Sequence, residues 1–216
     1  MNNKAYKSMW FATVLAVFTL FLSSCEGGNP LTGGGAPDMA LNNGEHLNEL
    51  KKLLESKFGA DKVVYELSLR SENHLTSEFG SAMISYLDKG VDYSQSYLVA
   101  LGEGQELQAP KMASKNFQKK FFLKNKQGKV KLKELDFDLI LTKYDEAIGM
   151  IPAEFENFEL VQWNFRVNNQ NKVAANFKIE GTKKGEKSTR QGRQRVTNYY
   201  EFSFKMNEKE DLKIAN

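Results

Sequence analysis

Residues 161–179 read VQWNFRVNNQNKVAANFKI, and this stretch decides the fold. Apolar residues occupy every second position on both sides of the polar run at 168–171. Strict alternation is typical of a strand with one buried face, and Asn-rich runs favour turns. The stretch therefore predicts a β-hairpin with one apolar face. Its apolar positions are Val161, Trp163, Phe165, Val167, Val173, Ala175, Phe177 and Ile179.

The segments around this hairpin extend the pattern. Residues 136–151 carry apolar residues at helical spacing, and Pro152 is expected to end that helix. A third strand is predicted from Val196 to Met206, with a largely apolar face that includes Tyr200. Tyr199 lies on the opposite face, so one of these two tyrosines is expected to meet solvent. The second half of the chain therefore has the order helix, strand, strand, strand.

The first half has the same order. Asn42 and Glu45 predict a capped helix start, leucines at helical spacing follow, and Gly59 is a credible stop. Strand-like runs then occupy 63–69, 81–87 and 91–101, and the sequence DKG at 88–90 predicts a tight hairpin between the last two. The repeat is one of order and size, without residue-level identity.

We therefore expect an α+β fold built from two successive units, each with one helix and three antiparallel strands. The predicted units span residues 44–110 and 130–216, and residues 111–129 form a basic linker or an extra strand at 117–123. This order of elements is similar to cystatin-like and NTF2-like folds, in which a curved antiparallel sheet wraps a helix. A single larger domain with one shared sheet is the alternative.

The first 24 residues have the layout of a signal peptide. Lys4 and Lys7 come first, and 14 uncharged, largely apolar residues follow at 9–22. A membrane-spanning helix needs roughly 20 apolar residues, so this run is too short to span a bilayer. Residues 25–43, rich in Gly, Asn and Pro, are predicted to be a flexible tether.

The sequence Leu22-Ser23-Ser24-Cys25 resembles the lipobox of bacterial lipoproteins. The resemblance implies cleavage before Cys25 and acyl chains on its thiol and its new amine. One acyl chain binds a membrane only weakly, whereas two or three give a durable anchor. Cys25 is the only cysteine, so its lipidation would leave no thiol for disulfides, metals or catalysis. The following EGG at 26–28 is similar to Bacteroidota lipoproteins, which implies an outer-membrane location with the membrane face unresolved.

Charge is unevenly distributed along the chain. Removing Lys4 and Lys7 from the formal net charge of +3 leaves +1 for the processed protein. Residues 111–133 contain nine lysines and no acid, and residues 182–195 contain six Lys or Arg and one Glu. Such runs are most often solvated surface, but they also bind anionic partners. The better candidate interaction surface is the second segment with Tyr199; its basic members are Lys183, Lys184, Lys187, Arg190, Arg193 and Arg195.

The sequence carries no recognisable catalytic, cofactor or metal motif. His46 and His74 are the only histidines, and neither has neighbouring ligands at metal-site spacing. Asp136 and Asp138 suit a helix start, where carboxylates accept hydrogen bonds from free amides. The acids at 154–159 alternate with phenylalanines and are expected to form a solvated edge. We therefore expect no catalytic residue, no cofactor and no metal ligand.

These observations favour a non-enzymatic envelope lipoprotein that acts as an adaptor or structural component. Its expected partners are the membrane, through lipid on Cys25, and an envelope protein or anionic surface. Nucleic acid is not expected, since the anchor would place the folded part outside the cytoplasm. The alternative is a ligand-binding module with a cavity between sheet and helix for a lipid-like or glycan ligand. A hydrolase with an unrecognised acidic site is a third hypothesis.

Overall fold

The computed structural model describes residues 39–100, 104–113, 128–191 and 194–215. The predicted signal peptide, Cys25, most of the tether and the possible extra strand at 117–123 lie outside the described residues. Side chains are not described at 100, 104–105, 189–191 and 194–196.

The first helix, α1, spans Gly44–Leu54 and continues as a π-helical turn, Glu55–Gly59. The Asn43 side chain accepts hydrogen bonds from the backbone N–H groups of Glu45 and His46, at 3.0 and 3.2 Å. The cap therefore lies one residue after Asn42, the residue that the sequence pattern favoured. Gly59 has φ +95°, a left-handed conformation that suits the predicted stop.

The second helix, α2, spans Asp138–Ile148. The Asp136 carboxylate accepts a hydrogen bond from the Asp138 backbone N–H at 3.0 Å, as expected of an acid at a helix start. The predicted helix extended to 151, but backbone hydrogen bonds from Met150 to Ala147 and from Ile151 to Ile148 tighten the end into turns. Because of these turns the helix stops before Pro152.

Seven described strands lie between α1 and α2, and six follow α2. In chain order the described strands are β1 (Val63–Val64), β2 (Glu66–Ser71), β3 (Phe79–Asp88), β4 (Val91–Ala100), β5 (Gly104–Leu107), β6 (Lys111–Met112), β7 (Val130–Lys131), β8 (Phe155–Val167), β9 (Val173–Lys183), β10 (Thr189–Gln191), β11 (Gln194–Val196), β12 (Tyr200–Met206) and β13 (Leu212–Ile214).

Nine of these strands form one sheet, in the order β13-β12-β9-β8-β2-β3-β4-β5, with β6 also paired to β4. Every recorded pair in it is antiparallel. The centre is the pair β2–β8, which opposes Leu67 to Phe165 and Leu69 to Trp163. The α+β class is confirmed, and strands from both halves of the chain share one sheet. The unit boundaries and the likeness to cystatin-like and NTF2-like topology stay predictions.

Both helices pack on the same face of this sheet. Leu50 of α1 and Ile140 of α2 belong to one buried cluster with the sheet residues Leu67, Trp163 and Phe177, and all five are fully or almost fully buried. Burial of a large apolar side chain contributes about 1.5–3 kcal/mol, so this interface carries much of the folding free energy. Six of the eight alternating residues of the quoted hairpin are buried there. Val173 is partly buried, and Val161 falls at a β-bulge, so Leu160 takes the core position opposite Ile179.

Two predicted strands are interrupted because their ends pair with different partners. The run at 63–69 breaks at Tyr65: β1 pairs with β7 outside the main sheet, whereas β2 stays in it. The run from Val196 to Met206 breaks at 197–199, because β11 pairs with β10 in a separate hairpin and β12 pairs with β9. Alternation alone does not reveal a change of partner.

Two glycines meet specific backbone requirements. Lys89 and Gly90 have φ of 48° and 77°, so they form the two-residue turn with left-handed conformations that joins β3 to β4. A Cβ on Gly80 would lie 2.6 Å from Cα of Glu72. The register of β2 against β3 shifts between Arg70 and Ser71, so the backbones approach closely beside this bulge.

Candidate functional site

The sheet face opposite the helices, here called the open face, carries mostly polar and charged side chains, and Ser68 near its centre is only 4% exposed. Strand residues alternate in direction, so the residues between the core positions point to this face. Ser68 on β2 pairs with Met83 on β3 and with Asn164 on β8, and Asn164 pairs in turn with Asn176 on β9. One row across the sheet therefore reads Ser96, Met83, Ser68, Asn164, Asn176, Lys205.

Three shallow hollows adjoin one another along the open face. The first, of about 220 Å³, lies over β2, β3 and β4 around Ser68 and Arg70. The second, also about 220 Å³, shares Arg70 with the first and reaches His74. The third, about 290 Å³, shares Gln162 and Lys178 with the second and extends to β12. Because neighbouring hollows share lining residues, together they make a continuous groove across the strands, with both polar and apolar lining.

Several charges on the open face neutralise one another. Lys178 Nζ lies 2.8 Å from Oε1 of Glu201, and Arg166 Nε lies 3.6 Å from Oε1 of Glu66. These pairs are partly exposed, so each contributes little to stability. The pairing matters more for ligand recognition than for stability, because a cation paired with a carboxylate attracts anions less strongly than an unpaired cation does.

A buried carboxylate lies at the second hollow of the groove. Glu180 on β9 is 1% exposed and accepts a hydrogen bond from the Leu75 backbone N–H at 2.8 Å. His74 Nδ1 lies 2.7 Å from the other carboxylate oxygen. An ionised carboxylate only accepts, so we assign a proton to Nδ1. Glu180 thereby ties the β2–β3 connection to the open face.

The ring of Tyr199 stacks on His74. The two ring centroids lie 4.4 Å apart with planes inclined by 20°, and the Tyr199 hydroxyl lies 3.3 Å from His74 Nε2. Tyr199 is 43% exposed, and both tyrosines of the pair meet solvent, whereas the alternation predicted this of one. Tyr200 is also exposed, at 37%, and packs edge-on against Phe155 instead.

The predicted basic surface is only partly described. Lys183 Nζ lies 3.3 Å from a Glu154 carboxylate oxygen, and Lys184 Nζ donates to the Ala153 carbonyl at 2.7 Å. Lys187 is exposed. The side chains of Arg190 and Arg195, and all of Arg193, lie outside the described part. Tyr199 contacts His74, whereas the two lysines contact the turn before β8.

Glu186 organises the base of residues 182–195, here called the basic hairpin. Its carboxylate accepts hydrogen bonds from Asn198 Nδ2 at 2.7 Å and from the Tyr200 hydroxyl at 2.9 Å. These two bonds lower the pKa of Glu186, and the bond to Glu186 raises the pKa of Tyr200. The backbone N–H of Lys184 also donates to the Glu154 carbonyl at 2.9 Å. The base of the hairpin is thus held by several contacts.

His46 and Glu159 each have a hydrogen-bond partner within the fold. His46 Nδ1 accepts from the Ala40 N–H at 3.0 Å, and Glu159 accepts from the Ser77 hydroxyl at 2.6 Å. A further hollow of about 330 Å³ beside the start of α2 is lined partly by acids, including Asp136 and Glu208. Among the described residues, no group of three or more His, Cys, Asp or Glu is placed to hold a metal ion.

None of the described helices combines the length and the apolar character that crossing a bilayer requires.

Sequence reasoning missed the contact between His74 and Glu180. The two residues are separated by 106 positions, and Glu180 occupies the polar half of an alternating strand, where a solvated carboxylate is expected. The one signal in the sequence was His74 itself, which lies in the predicted turn after the strand that the structure shows as β2.

Comparison with known proteins gives little guidance. No protein-family model matches the chain, and no curated protein matches it. One solved structure, from Clostridium difficile 630 and provisionally named a lipoprotein, is 11% identical. The match covers 78% of this chain and 90% of that one, with a TM-score of 0.41.

Proposed function

We propose that this chain is a lipid-anchored protein of the bacterial cell envelope that acts as a non-enzymatic adaptor. The anchor rests on the sequence at 22–25, which follows a basic start and a short apolar run and ends in the only cysteine. Acyl chains on Cys25 would hold the folded part at a membrane surface through a tether shorter than the predicted 25–43, because Met39 and Leu41 are buried in the core. The start of the processed chain favours the outer membrane.

The adaptor role rests on one observation: the base of the basic hairpin is fixed. Lys183 and Lys184 are fastened to the turn before β8, and Glu186 is held by Asn198 and Tyr200. A basic surface that is already ordered loses less conformational entropy on binding than a free loop does. An acidic face of an envelope protein is the partner that this surface fits best, because Lys183, Lys184 and Lys187 are all exposed and the Lys183–Glu154 pair lies at the surface, where water screens it.

The ligand-binding alternative has less support. The space between sheet and helices is filled by large side chains, and Trp163, Phe165 and Phe177 are each 1% exposed or less. Close packing of this kind leaves no room for a lipid tail without movement of the core. The hollow beside α2 is polar at its rim and opens to solvent.

Co-purification from detergent-solubilised membranes tests the adaptor role. The variant combines Lys183→Gln, Lys184→Gln and Lys187→Gln, and its control combines Lys52→Gln, Lys89→Gln and Lys209→Gln, three exposed lysines elsewhere. We expect a stoichiometric protein partner with the wild type and the control but not with the hairpin variant. A partner that binds all three equally, or no partner for the wild type, contradicts the proposal.

The anchor is tested separately by mass spectrometry of the processed protein. We expect an acylated Cys25 at the new N-terminus and accumulation of the full precursor when lipoprotein signal peptidase is inhibited with globomycin. An unmodified thiol at residue 25, or processing that continues unchanged in the presence of globomycin, would contradict the proposed lipid anchor.

A further inference from the structure

We infer that the basic hairpin stands next to the membrane, and that its partner is a membrane-embedded protein with an acidic face close to the lipid surface. The inference rests on the proposed anchor and adaptor role, and it names the class of partner and the place of contact. The end of the sheet concerned, here called the near end, comprises the β2–β3 connection, the turn before β8 and the base of the basic hairpin.

The described chain enters the fold at the near end. The Phe79 backbone N–H, at the start of β3, donates to the Met39 carbonyl at 2.7 Å, and the Leu41 N–H donates to the Ser77 carbonyl at 2.8 Å. Met39 and Leu41 are also buried in the core. The point where the tether joins the folded part is therefore fixed beside the β2–β3 connection.

A chain of contacts joins this entry point to the basic hairpin. Asn42 Nδ2 donates to the Glu159 carboxylate at 3.4 Å, and Glu159 on β8 pairs with Glu180 on β9. Glu180 contacts His74, and the His74 ring carries Tyr199, which precedes β12. The attachment of the tether and the base of the hairpin therefore share one end of the sheet.

The length of the tether keeps this end close to the membrane. Met39 follows Cys25 by 14 positions, and the intervening sequence is rich in Gly. A Gly-rich chain of that length has a root-mean-square end-to-end distance of about 20 Å. The 11 residues of β9 span about 36 Å, so the opposite end of the sheet lies well beyond that distance. Lipid on Cys25 would thus hold the hairpin in the layer next to the bilayer.

The charges at the two ends of the sheet favour the same orientation. The opposite end, here called the far end, carries the β8–β9 turn and the turn after β12. The hollow of about 330 Å³ at this end is lined by Glu134, Asp136, Glu208 and Glu210, with Lys172. An anionic lipid surface repels such acids, whereas it attracts the exposed lysines of the hairpin.

The exposed apolar side chains of the near end suit a protein better than a lipid surface. Met150, Tyr199 and Tyr200 are all exposed there, and Tyr and Met are enriched in protein interfaces. The Tyr199 hydroxyl lies 3.3 Å from His74 Nε2, and the Tyr200 hydroxyl donates to Glu186 at 2.9 Å. Because these bonds hold both rings against the fold, the rings form a fixed surface and do not reach into the acyl chains of a bilayer.

Energy transfer from the folded part to the bilayer tests the orientation. Cys25 is the only cysteine and its thiol would be acylated, so an introduced cysteine is the one free thiol for a donor dye. The matched variants are Lys187→Cys at the near end and Lys209→Cys at the far end, both at exposed lysines. The acylated protein is placed in phosphatidylcholine vesicles with an acceptor on the lipid head groups. We expect residue 187 to lie nearer the lipid by about 20 Å or more, since β12 alone spans about 23 Å.

Photo-crosslinking in native membranes tests the class of partner. A benzophenone is attached to the same two cysteines. We expect residue 187 to form an adduct with a protein that stays in the membrane after alkaline extraction, and residue 209 not to form it. Addition of Lys183→Gln and Lys184→Gln to Lys187→Cys should reduce this adduct about tenfold, because two charges of the contact are lost. Thermal melting shows whether each variant is folded.

The results that would overturn the inference separate its parts. Equal or greater energy transfer from residue 209 contradicts the orientation, even where a partner co-purifies. Adducts of residue 187 with lipid alone or with a soluble protein alone contradict the class of partner. So does nearness of residue 187 that requires phosphatidylglycerol in the vesicles and is lost in about 500 mM NaCl, because the lysines would then bind lipid head groups. Energy transfer needs no partner, so a failed co-purification contradicts the adaptor role and leaves the orientation to be judged by itself.

Discussion

Replacement of Glu180 tests the hydrogen bonds around the second hollow most directly. The carboxylate receives two hydrogen bonds, one from the Leu75 backbone N–H and one from His74 Nδ1. Glu180→Ala removes both acceptors. Glu180→Gln keeps one acceptor for Leu75 and presents an NH₂ group to His74, which can then accept at Nδ1 and carry its proton on Nε2. The glutamine variant can therefore satisfy every group by a change of tautomer.

The expected costs differ because only one variant leaves a donor unpaired. Loss of the acceptor for the Leu75 N–H costs about 1–3 kcal/mol. The His74 bond adds little, since that side chain is 68% exposed and water replaces the carboxylate. We expect Glu180→Ala to destabilise the fold by about 2 kcal/mol and to lower the melting temperature by about 4–8 °C. For Glu180→Gln we expect less than about 1 kcal/mol.

Urea denaturation and nitrogen NMR of the histidine ring provide the measurements. Urea midpoints rank the two variants, and the ¹⁵N shifts of His74 report which ring nitrogen carries the proton while the imidazole is neutral. The wild type should be protonated at Nδ1 and Glu180→Gln at Nε2. If both variants lose the same stability, or if the proton stays on Nδ1 in Glu180→Gln, the assigned hydrogen bonds are wrong.

Two further predictions concern backbone geometry and pH. Gly80→Ala should cost about 1–3 kcal/mol of unfolding free energy, because its Cβ would meet backbone at 2.6 Å. Gly90→Ala meets no atom within 4 Å and should cost only about 1 kcal/mol, which comes from its positive φ. If the urea midpoint of Gly90→Ala lies well below that of Gly80→Ala, the close approach at Gly80 is refuted. The pKa of Glu186 is lowered in the folded protein, so its hydrogen bonds stabilise the hairpin base fully at any pH above the usual glutamate pKa of about 4.3. This stabilisation is lost as the pH falls through the lower pKa of the folded state. Amide shifts of Asn198 should follow this transition, and Glu186→Gln should abolish it.

Local elements were predictable because each leaves a period in the sequence. The alternation at 161–179 fixed β8, β9 and the turn between them, and the DKG turn fixed the β3–β4 hairpin. Alternate burial on these strands follows from the pleat, except at the bulge after Leu160, which shifts the buried face of β8 by one residue. The described helix ends differ from the predicted ones by a few residues, since capping bonds decide them and several neighbouring polar residues compete for the cap.

The arrangement of the strands was beyond sequence reasoning. The pairing of β2 with β8 joins the first predicted strands of the two halves, yet other pairings would also bury two apolar faces. The interruptions at Tyr65 and at 197–199 depend on which partner each strand end meets. These are non-local choices, and a single sequence carries no direct record of them.

The same limit explains why the candidate groove went unnoticed. Ser68, Asn164 and Asn176 stand at polar positions of alternating strands, where any hydrophilic residue would satisfy the pattern. Only the register shows that they form one row, and only the folded chain brings His74 to Glu180 beside that row.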